Sequence, residues 1–273
     1  MVLRIAACLF LPAVFAKADT LIVPMDPWPP WKFVDTQTWQ VENEGIDIQL
    51  IEVLISSYNQ KFGKNITIDY RGYPWKRCLE MMRSGKADFI SGVFKRPERE
   101  NYMIFINPPY KTASVKAFYI RKDSKIAIRK YEDLYQLRIG VQAGVRYFER
   151  FDADPNIQKE EAGNDLSNFR KLTLGRIDAV ISTETQADYL IATQGLKEKI
   201  KKTTYKYSAS LPVYFAVSKK SAYAKQVPQF SEIVKELVED NVFETIVENY
   251  FNALHKEAHI TTSRLQHRCS QCR

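Results

Sequence analysis

Two arginines lie close together in the segment "SGVFKRPERENYMIFINPPY", which spans residues 91–110. Arg96 and Arg99 stand between an apolar stretch that ends at Ser91 and a second apolar run, "MIFI". A guanidinium group presents parallel N–H donors that match a carboxylate, and it keeps its charge when it is buried. We therefore expect one arginine to face a cleft and hold an anion, and the other to face water.

The side-chain arrangements that many enzymes use for catalysis are missing from the body of the chain. All three histidines lie beyond residue 254, and residues 20–252 contain no Ser–His–Asp arrangement, no Cys–His arrangement and no metal-ligand spacing. Cys269 and Cys272 form a CxxC pair without a strand or helix pattern around it, so we interpret residues 255–273 as a polar, disordered tail. We expect no enzyme activity, no metal and no cofactor.

The N-terminal residues have the form of a secretory signal. Arg4 precedes an apolar run, Ile5–Phe15, and the small residues Ala16 and Ala18 offer cleavage sites. This run is too short to span a bilayer as a stable helix. Residues 1–18 therefore predict a cleaved signal peptide and a periplasmic protein. The alternative is a buried N-terminal strand or helix.

The composition limits the number of domains and the kind of partner. With 273 residues, 45% of them hydrophobic, the chain can form one large domain or two ordinary ones. The formal net charge is +8, but it is unevenly placed, with part of it in residues 255–273, and there is no long basic block, so we expect no nucleic-acid partner.

Strand and helix patterns alternate along the chain, which favours an α/β fold with a largely parallel sheet. The predicted strands are 19–25, 65–70, 88–93, 114–121, 138–142, 177–182 and 212–218. The predicted helices are 45–63, 74–85, 131–137, 164–175, 184–195 and one or two within 228–251. A helix–strand unit recurs as "SGKADFIS" (84–91) and "LGRIDAVIS" (174–182). Because ligands of open α/β sheets bind beyond the carboxyl ends of strands, the residues after Ser91 and Ser182 should line the site.

The order of several segments carries a family resemblance over roughly residues 20–252. These segments are "MDPWPPW", "GIDIQLIEVL", "GKADFIS", "RPERENYMIFINPPY", "LRIGVQAG" and "GRIDAVIS". In this order the chain resembles the family 3 extracellular solute-binding proteins, the amino-acid-binding components of ABC importers. The resemblance implies a two-lobed periplasmic-binding-protein fold, with the ligand in a cleft and a hinge of two crossing segments near Lys111–Ala113 and Ser208–Leu211. Lobe one would then comprise residues 19–110 and 211–254, and lobe two residues 111–210.

The resemblance also implies ligand-binding roles for particular residues. Arg99 matches the arginine that clamps the α-carboxylate of the ligand, whereas Arg96 has no counterpart and is expected to be a solvated surface charge. An ion pair of Arg99 with Glu98, Glu100 or a lobe residue is the alternative. Trp28, just after Asp26, matches an aromatic residue that stacks on the ligand, unless it only packs on prolines.

This sequence departs from the family pattern at several site positions. Phe94, with Gly92 before it, stands where a hydroxyl side chain is common, and Arg146 stands where a threonine usually helps to hold carboxylate. Thr183 aligns with the acidic residue that takes the α-ammonium, and Glu184 follows it. Burial of an ammonium without a carboxylate is costly. The cleft is therefore expected to favour an anion: a dicarboxylate, an acidic amino acid or a modified one.

The sequence therefore predicts a monomeric periplasmic protein that binds a small carboxylate-bearing molecule, an amino acid or a relative, for a membrane permease of an ABC importer. One alternative is an enzyme on the same scaffold, such as a dehydratase of a cyclic carboxylic acid, for which Glu184 would be the general acid or base. The other is a ligand-sensing module or the equivalent lobe of a wall lytic enzyme.

Overall fold

The computed structural model describes residues 19–208 and 210–253. The predicted signal peptide (1–18), the CxxC pair of the tail and Ala209 in the second crossing segment lie outside the described residues. No helix of the described chain is long and apolar enough to cross a membrane.

Helices and strands alternate through most of the described chain. The strands are β1 (Asp19–Met25), β2 (Ile66–Gly72), β3 (Phe89–Phe94), β4 (Met103–Phe105), β5 (Lys116–Arg121), β6 (Arg138–Gln142), β7 (Gln158–Ala162), β8 (Ala179–Thr183), β9 (Ile200–Tyr207) and β10 (Val213–Ser218). The helices are α1 (Ile46–Phe62), α2 (Trp75–Ser84), α3 (Pro97–Glu100), α4 (Glu149–Ala153), α5 (Asp165–Thr173), α6 (Glu184–Thr193), α7 (Val227–Glu239) and α8 (242–253). Two 3-10 helices cover Tyr131–Leu134 and Ala222–Gln226.

The strands form three sheets, and the prediction of a largely parallel sheet is wrong. The sheets have the orders β1-β2, β3-β10-β4 and β7-β6-β8-β5-β9. β1 and β2 are parallel, and so are β6 and its two neighbours, whereas β5 and β10 run antiparallel to every strand they pair with. The reason is that β5 and β10 each follow a crossing segment. They enter their sheets at the edge where β8 and β3 end, and so run in the opposite direction.

The chain passes twice between two groups of strands. The five-stranded sheet is built from residues 116–207, and the other two sheets from residues 19–105 and 213–218. The two crossings run side by side: the Val213 amide donates to the Lys111 carbonyl at 2.8 Å, and the Tyr110 amide donates to the Val213 carbonyl at 3.1 Å. We call residues 19–110 with 211–253 the first lobe and residues 111–208 the second lobe. The limits at 110 and 210 stay a prediction.

Each lobe buries its own apolar cluster. In the first lobe, α1 and α7 cover the sheets with Leu54, Tyr58 and Phe230, which lie in one cluster with Phe89 of β3. In the second lobe, aromatic and aliphatic residues of β5, β6, β8 and α4 form another cluster. Helix α1 ends as predicted at Gly63, whose left-handed backbone (φ 61°) is a conformation that glycine adopts readily.

The predicted strands and long helices are confirmed in type, and 228–251 proves to hold two helices, α7 and α8. Five strands and α-helices were not predicted, namely β4, β7, β9, α3 and α4, and neither was the 3-10 helix Ala222–Gln226. Strands β7 and β9 are the two edges of the five-stranded sheet, and their sequences, "QKEEA" and "IKKTTYKY", are strongly polar. An edge strand has solvent along one side, so it lacks the apolar run by which a central strand is recognised. The other four elements have only three to five residues.

Candidate functional site

A cavity lies between the lobes, at the ends of β3, β6 and β8 and the beginning of β5. It encloses about 490 Å³ of space between atoms, including solvent at its mouth. Seven of the eight predicted site residues line it: Asp26, Trp28, Gly92, Phe94, Arg99, Arg146 and Thr183. Eight further residues complete the lining: Lys32, Trp75, Lys116, Gln142, Val145, Tyr147, Asp165 and Gln186.

Arg99 is buried at this cavity, and the four-residue helix α3 turns the chain back to place it there. Its side chain is 4% exposed. One guanidinium nitrogen donates to the Phe94 carbonyl at 3.2 Å, and another donates to the Gly144 carbonyl of the second lobe at 3.5 Å. No carboxylate among the described residues lies within ion-pair distance of it. Burial lowers the pKa of Arg99, but a guanidinium remains charged at neutral pH. The cavity therefore contains a cation without a counter-charge.

The glutamates that flank Arg99 are engaged elsewhere. Glu98 lies 3.7 Å from Arg146, and Glu100 lies 3.4 Å from Lys95. The alternative interpretation, in which Arg99 forms an ion pair with one of these neighbours, is therefore wrong for this arrangement of the lobes. Arg146 is 49% exposed and stands at the rim of the cavity, where its partner Glu98 comes from the opposite lobe.

Arg96 is not the solvated surface charge that the sequence predicted. Its guanidinium lies 3.6 Å from the carboxylate of Asp152 on α4, and the two side chains are 23% and 14% exposed. Asp152 also accepts from the Tyr147 amide at 3.1 and 3.2 Å. Arg96 belongs to the first lobe and Asp152 to the second. The correction arises because Asp152 approaches Arg96 only through tertiary packing between the lobes.

A buried charge cluster forms the floor of the cavity in the first lobe. Lys32 forms an ion pair with Asp26, and its ammonium lies 5.2 Å from the ring centroid of Trp28 and 5.4 Å from that of Trp75. Burial acts to lower the pKa of Lys32, but the carboxylates of Asp26 and Asp47 outweigh burial and raise it. Asp26 therefore already has a cation as its partner, and its charge is not free for a ligand.

Gly92 fits closely against this cluster. Its backbone has φ +74°, and a Cβ there would stand 3.3 Å from the Trp28 ring and 3.7 Å from the Lys32 ammonium. Its amide donates to the Tyr110 hydroxyl at 3.0 Å. Beside it, the Ser91 hydroxyl donates to Asp47 at 2.7 Å. Gly92 therefore lets the strand end approach the tryptophan and the lysine, and it presents no side chain to a ligand.

Lys116 is the main feature of the second-lobe side that the sequence did not predict. It is the first residue of β5, is 2% exposed, and donates to the Thr183 hydroxyl at 2.6 Å and the Ser114 hydroxyl at 3.1 Å. The Phe94 ring centroid lies 5.1 Å from its ammonium. Burial and the charge of Lys111 lower the pKa of Lys116 to about 7. Thr183 thus lines the cavity as predicted, and its hydroxyl oxygen accepts from this lysine.

Asp165 and Gln142 bring two further polar groups to the cavity. The Ser182 hydroxyl donates to one oxygen of Asp165, and the other oxygen is buried without a partner. Burial raises the pKa of Asp165 to about 6. The side-chain nitrogen of Gln142 is likewise buried without a partner. A carboxylate oxygen and an amide N–H are thus left without hydrogen bonds in the protein, as happens where a bound molecule or water completes a site.

Glu184 is the one predicted site residue that does not line the cavity. Its carboxylate lies 2.8 Å from Lys202 and 3.3 Å from Lys206, both on β9. These two lysines turn it toward the edge of the sheet. Glu184 therefore does not lie where the dehydratase alternative would need a general acid or base. Among the described residues, no cluster of three or more His, Cys, Asp and Glu side chains could hold a metal.

One sequence signal could have revealed Lys116. It stands in "SVKAFYI", where every neighbour is small or apolar, and a lysine inside a central strand must either reach solvent or have a function. Asp165 and Trp75 carried no comparable signal, because an acidic residue or a tryptophan in the first turn of a helix is common on any surface.

Comparison with known proteins assigns the family. The model of the bacterial extracellular solute-binding proteins, family 3, matches residues 21–253. The chain belongs to this family, as its sequence resemblance predicted. A search of curated proteins found no match to the chain.

Solved structures share the fold at low sequence identity. A histidine kinase sensor domain with similarity to periplasmic binding proteins has a TM-score of 0.70 and 19% identity, over 85% of this chain and 96% of that one. The substrate-binding protein of an amino acid ABC transporter has a TM-score of 0.65 and 21% identity, over 85% and 99%. An ancestral amino-acid-binding protein, described as a precursor of cyclohexadienyl dehydratase, has a TM-score of 0.66 and 21% identity, over 85% and 95%. These likenesses confirm the periplasmic-binding-protein fold.

Proposed function

We propose that this protein is a periplasmic solute-binding protein that captures a small carboxylate-bearing ligand, an amino acid or a relative of one, for the membrane permease of an ABC importer. The observation that carries the proposal is the buried guanidinium of Arg99, which lines the cavity and has no carboxylate partner among the described residues. A carboxylate of the ligand would supply the missing counter-charge through two parallel hydrogen bonds. The family and the fold support a binding role.

The other lining residues suit a small ligand held between the lobes. Trp28 and Phe94 form walls on the first-lobe side, and Thr183 lies opposite on the second lobe. Arg146 stands at the rim, where it adds positive charge near the mouth. In this proposal the protein works as a monomer, performs no chemistry on its ligand and reaches its compartment through the predicted signal at residues 1–18.

A thermal-shift screen of the purified protein against amino acids, polyamines and small carboxylates tests the proposal. A ligand at 100 times its dissociation constant should raise the free energy of unfolding by about 2.7 kcal/mol. The same ligand should not stabilise Arg99→Ala. A ligand that stabilises both proteins equally would contradict the role of Arg99. Loss of uptake of that ligand in cells without the gene would support delivery to a permease, and unchanged uptake with a changed transcriptional response would favour a sensor.

A second candidate function is proton-transfer catalysis, such as the dehydration of a cyclic carboxylic acid. The specific observation in its favour is that Lys116 and Asp165, with pKa values of about 7 and about 6, line one cavity, because such values suit general acid–base chemistry near neutral pH. Nuclear magnetic resonance of cyclic hydroxy-carboxylic acids incubated with the protein would reveal it. A product that Asp165→Asn fails to form would favour the enzyme, and an unchanged ligand would favour the binding protein.

A further inference from the structure

The ammonium of Lys116 is buried and has only neutral partners. Two of its three N–H groups donate to the hydroxyls of Ser114 and Thr183. No carboxylate in the described part of the chain comes within ion-pair distance of it. A buried cation without a counter-charge is costly, and the cost falls when an anion enters. Like Arg99, Lys116 is a buried basic group that lines the cavity without an ion-pair partner, but it belongs to the opposite lobe.

The groups that face Lys116 come from several elements. Phe94 at the end of β3 and Tyr147 after β6 present their rings, with centroids 5.1 and 6.0 Å from its ammonium. The charge of Lys111 in the crossing segment acts to lower the pKa of Lys116. The carboxylates of Asp165 on α5 and Asp152 on α4 act to raise it. Burial outweighs these two carboxylates.

The charges around the cavity can be sorted into paired and unpaired groups. Asp26 is paired with Lys32, and Glu98 with Arg146. Among the charged lining residues this leaves Arg99, Lys116 and Asp165 without an ion-pair partner in the described chain. A ligand could therefore supply counter-charges to two basic groups and one acidic group of the cavity.

We propose that Lys116 and Thr183 form a second anion subsite, so that the ligand carries two carboxylates, one held by Arg99 and one by Lys116. This inference rests on the proposed function and names the ligand class. The Thr183 oxygen accepts from Lys116, so its own O–H is free to donate to the incoming carboxylate. The third N–H of Lys116 donates to the same group.

Asp165 decides which kind of dicarboxylate fits best. Its partnerless oxygen can accept from an ammonium, in which case the ligand is an acidic amino acid. Alternatively, protonated Asp165 donates to a ligand oxygen, in which case the ligand is a plain dicarboxylate. Both kinds of ligand carry two carboxylates, and the effect of Asp165→Asn on their binding distinguishes them.

A ligand carboxylate beside Lys116 should also change the number of protons that the protein binds. An anion in contact with the ammonium favours its charged form. Because the pKa of Lys116 in the free protein is about 7, the group is mostly neutral at pH 8. Binding should therefore take up close to one proton at Lys116 per ligand at that pH, and a plain dicarboxylate that accepts from protonated Asp165, whose pKa in the free protein is about 6, should take up a second. A lysine with only a structural role would not show this.

Isosteric pairs of ligands test the second carboxylate by calorimetry. The pairs are succinate with succinamate, glutarate with glutaramate, aspartate with asparagine and glutamate with glutamine. In at least one pair the dicarboxylate should bind at least about tenfold more tightly than its amide, and Lys116→Met should remove that preference. Lys206→Met, which removes a half-exposed lysine of β9, is the matched control and should keep the preference for the dicarboxylate.

If Asp165→Asn weakens only the amino-bearing ligands, the ligand is an acidic amino acid; if it does not, the ligand is a plain dicarboxylate.

Proton uptake and one further variant give independent readouts. The heat of binding at pH 8 in phosphate and in Tris, which differ in ionisation enthalpy, should report close to one proton for Asp165→Asn, namely that of Lys116. Lys116→Met should report about one proton fewer than the wild type: almost none for an acidic amino acid, and about one for a plain dicarboxylate held by protonated Asp165. Thr183→Asp places a carboxylate beside Lys116 and should abolish dicarboxylate binding, whereas the uncharged Thr183→Asn, which removes the hydroxyl donor without adding charge, should weaken binding to a smaller extent.

The results separate this inference from the proposed function. If an amide or a neutral amino acid binds as tightly as the dicarboxylate and depends on Arg99, the proposed function stands and the second anion subsite is overturned. Equal dicarboxylate affinity in Lys116→Met and the wild type also overturns it, as does failure of every dicarboxylate to bind. If no carboxylate of any kind binds, the proposed function fails with it.

Discussion

The indole N–H of Trp75 donates to the carbonyl of Gly144 at 3.1 Å and so joins the first residue of α2 to the loop that follows β6 in the other lobe. The same carbonyl lies 3.5 Å from a guanidinium nitrogen of Arg99. One acceptor thus links the buried arginine to the contact between the lobes. Any movement that separates the lobes removes a hydrogen-bond partner from Arg99, so closure and anion binding should be coupled.

Replacement of Trp75 by phenylalanine tests this coupling. Trp75→Phe keeps the apolar ring and removes the N–H donor, so closure should lose about 0.5–1.5 kcal/mol. Small-angle scattering of the ligand-free variant should give a larger radius of gyration than that of the wild type, and calorimetry should show weaker ligand binding. Trp39→Phe, which changes a tryptophan packed on the first-lobe core, is the control. Equal radii and affinities for all three proteins would argue against the coupling.

The ion pair between Arg96 and Asp152 should contribute to closure as well. Both side chains are more than three-quarters buried, so a coupling of about 0.5–1 kcal/mol is expected. A double-mutant cycle with Arg96→Ala, Asp152→Asn and the double variant, read as ligand affinity, measures it. Because the pair is partly screened by solvent, the coupling should shrink as salt increases. Additive losses would mean that the two residues act independently.

Arg99 should dominate the affinity. Arg99→Ala is expected to cost about 2–5 kcal/mol of binding, since it leaves the ligand carboxylate desolvated without a partner. Arg99→Lys should also weaken binding, because an ammonium lacks the forked geometry. Arg83→Ala, at a residue of the same lobe whose side chain is 60% exposed, is the control and should change affinity by less than about 0.5 kcal/mol. Equal losses at Arg83 and Arg99 in calorimetry would refute the clamp.

Burial of Lys116 should give the stability of the protein a distinctive pH dependence. Its pKa is about 7 in the folded protein, below the ordinary 10.5 of an unfolded chain. Between these values the unfolded chain binds more protons, so the contribution of Lys116 to the free energy of unfolding should rise with pH, by at most about 1.4 kcal/mol per unit. Below pH 7 the group is charged in both states and its penalty is complete.

Urea denaturation between pH 6.5 and 9.5 measures this effect. Lys116→Met lacks the titrating group, so the stability of the wild type relative to this variant should increase across the range. Lys206→Met, from the half-exposed lysine of β9, should leave the pH profile unchanged. A wild-type profile parallel to that of Lys116→Met would show that Lys116 does not titrate in this window.

Much of the site could be predicted from the sequence because it lies on repeated, local units. The strand ends after Ser91 and Ser182 lie beside the cavity, as the open-sheet rule requires. Arg99 lies in the short turn that follows β3, so few residues decide whether its side chain reaches the cleft. The buried central strands were also recognisable by their apolar runs.

The rest depends on contacts between residues far apart in sequence. The partner of Arg96 is Asp152 in the other lobe, and the neighbour of Lys116 is Thr183 on the adjacent strand. No local pattern fixes such pairs. Glu184 illustrates the opposite error: it adjoins Thr183 in sequence, but successive side chains leave the end of a strand in different directions, and its carboxylate lies with Lys202.

Two of the four tryptophans, Trp28 and Trp75, line the cavity and flank the ammonium of Lys32. The other two, Trp31 and Trp39, pack in or against the first-lobe core. An indole's ultraviolet emission depends on nearby charge and solvent, so half of the protein's tryptophans lie where a ligand would enter. The colour and intensity of that emission should therefore report occupancy of the cleft without any added label; Trp31, whose ring stacks on Trp28 with centroids 6.1 Å apart, should share the change, and Trp39 provides the background.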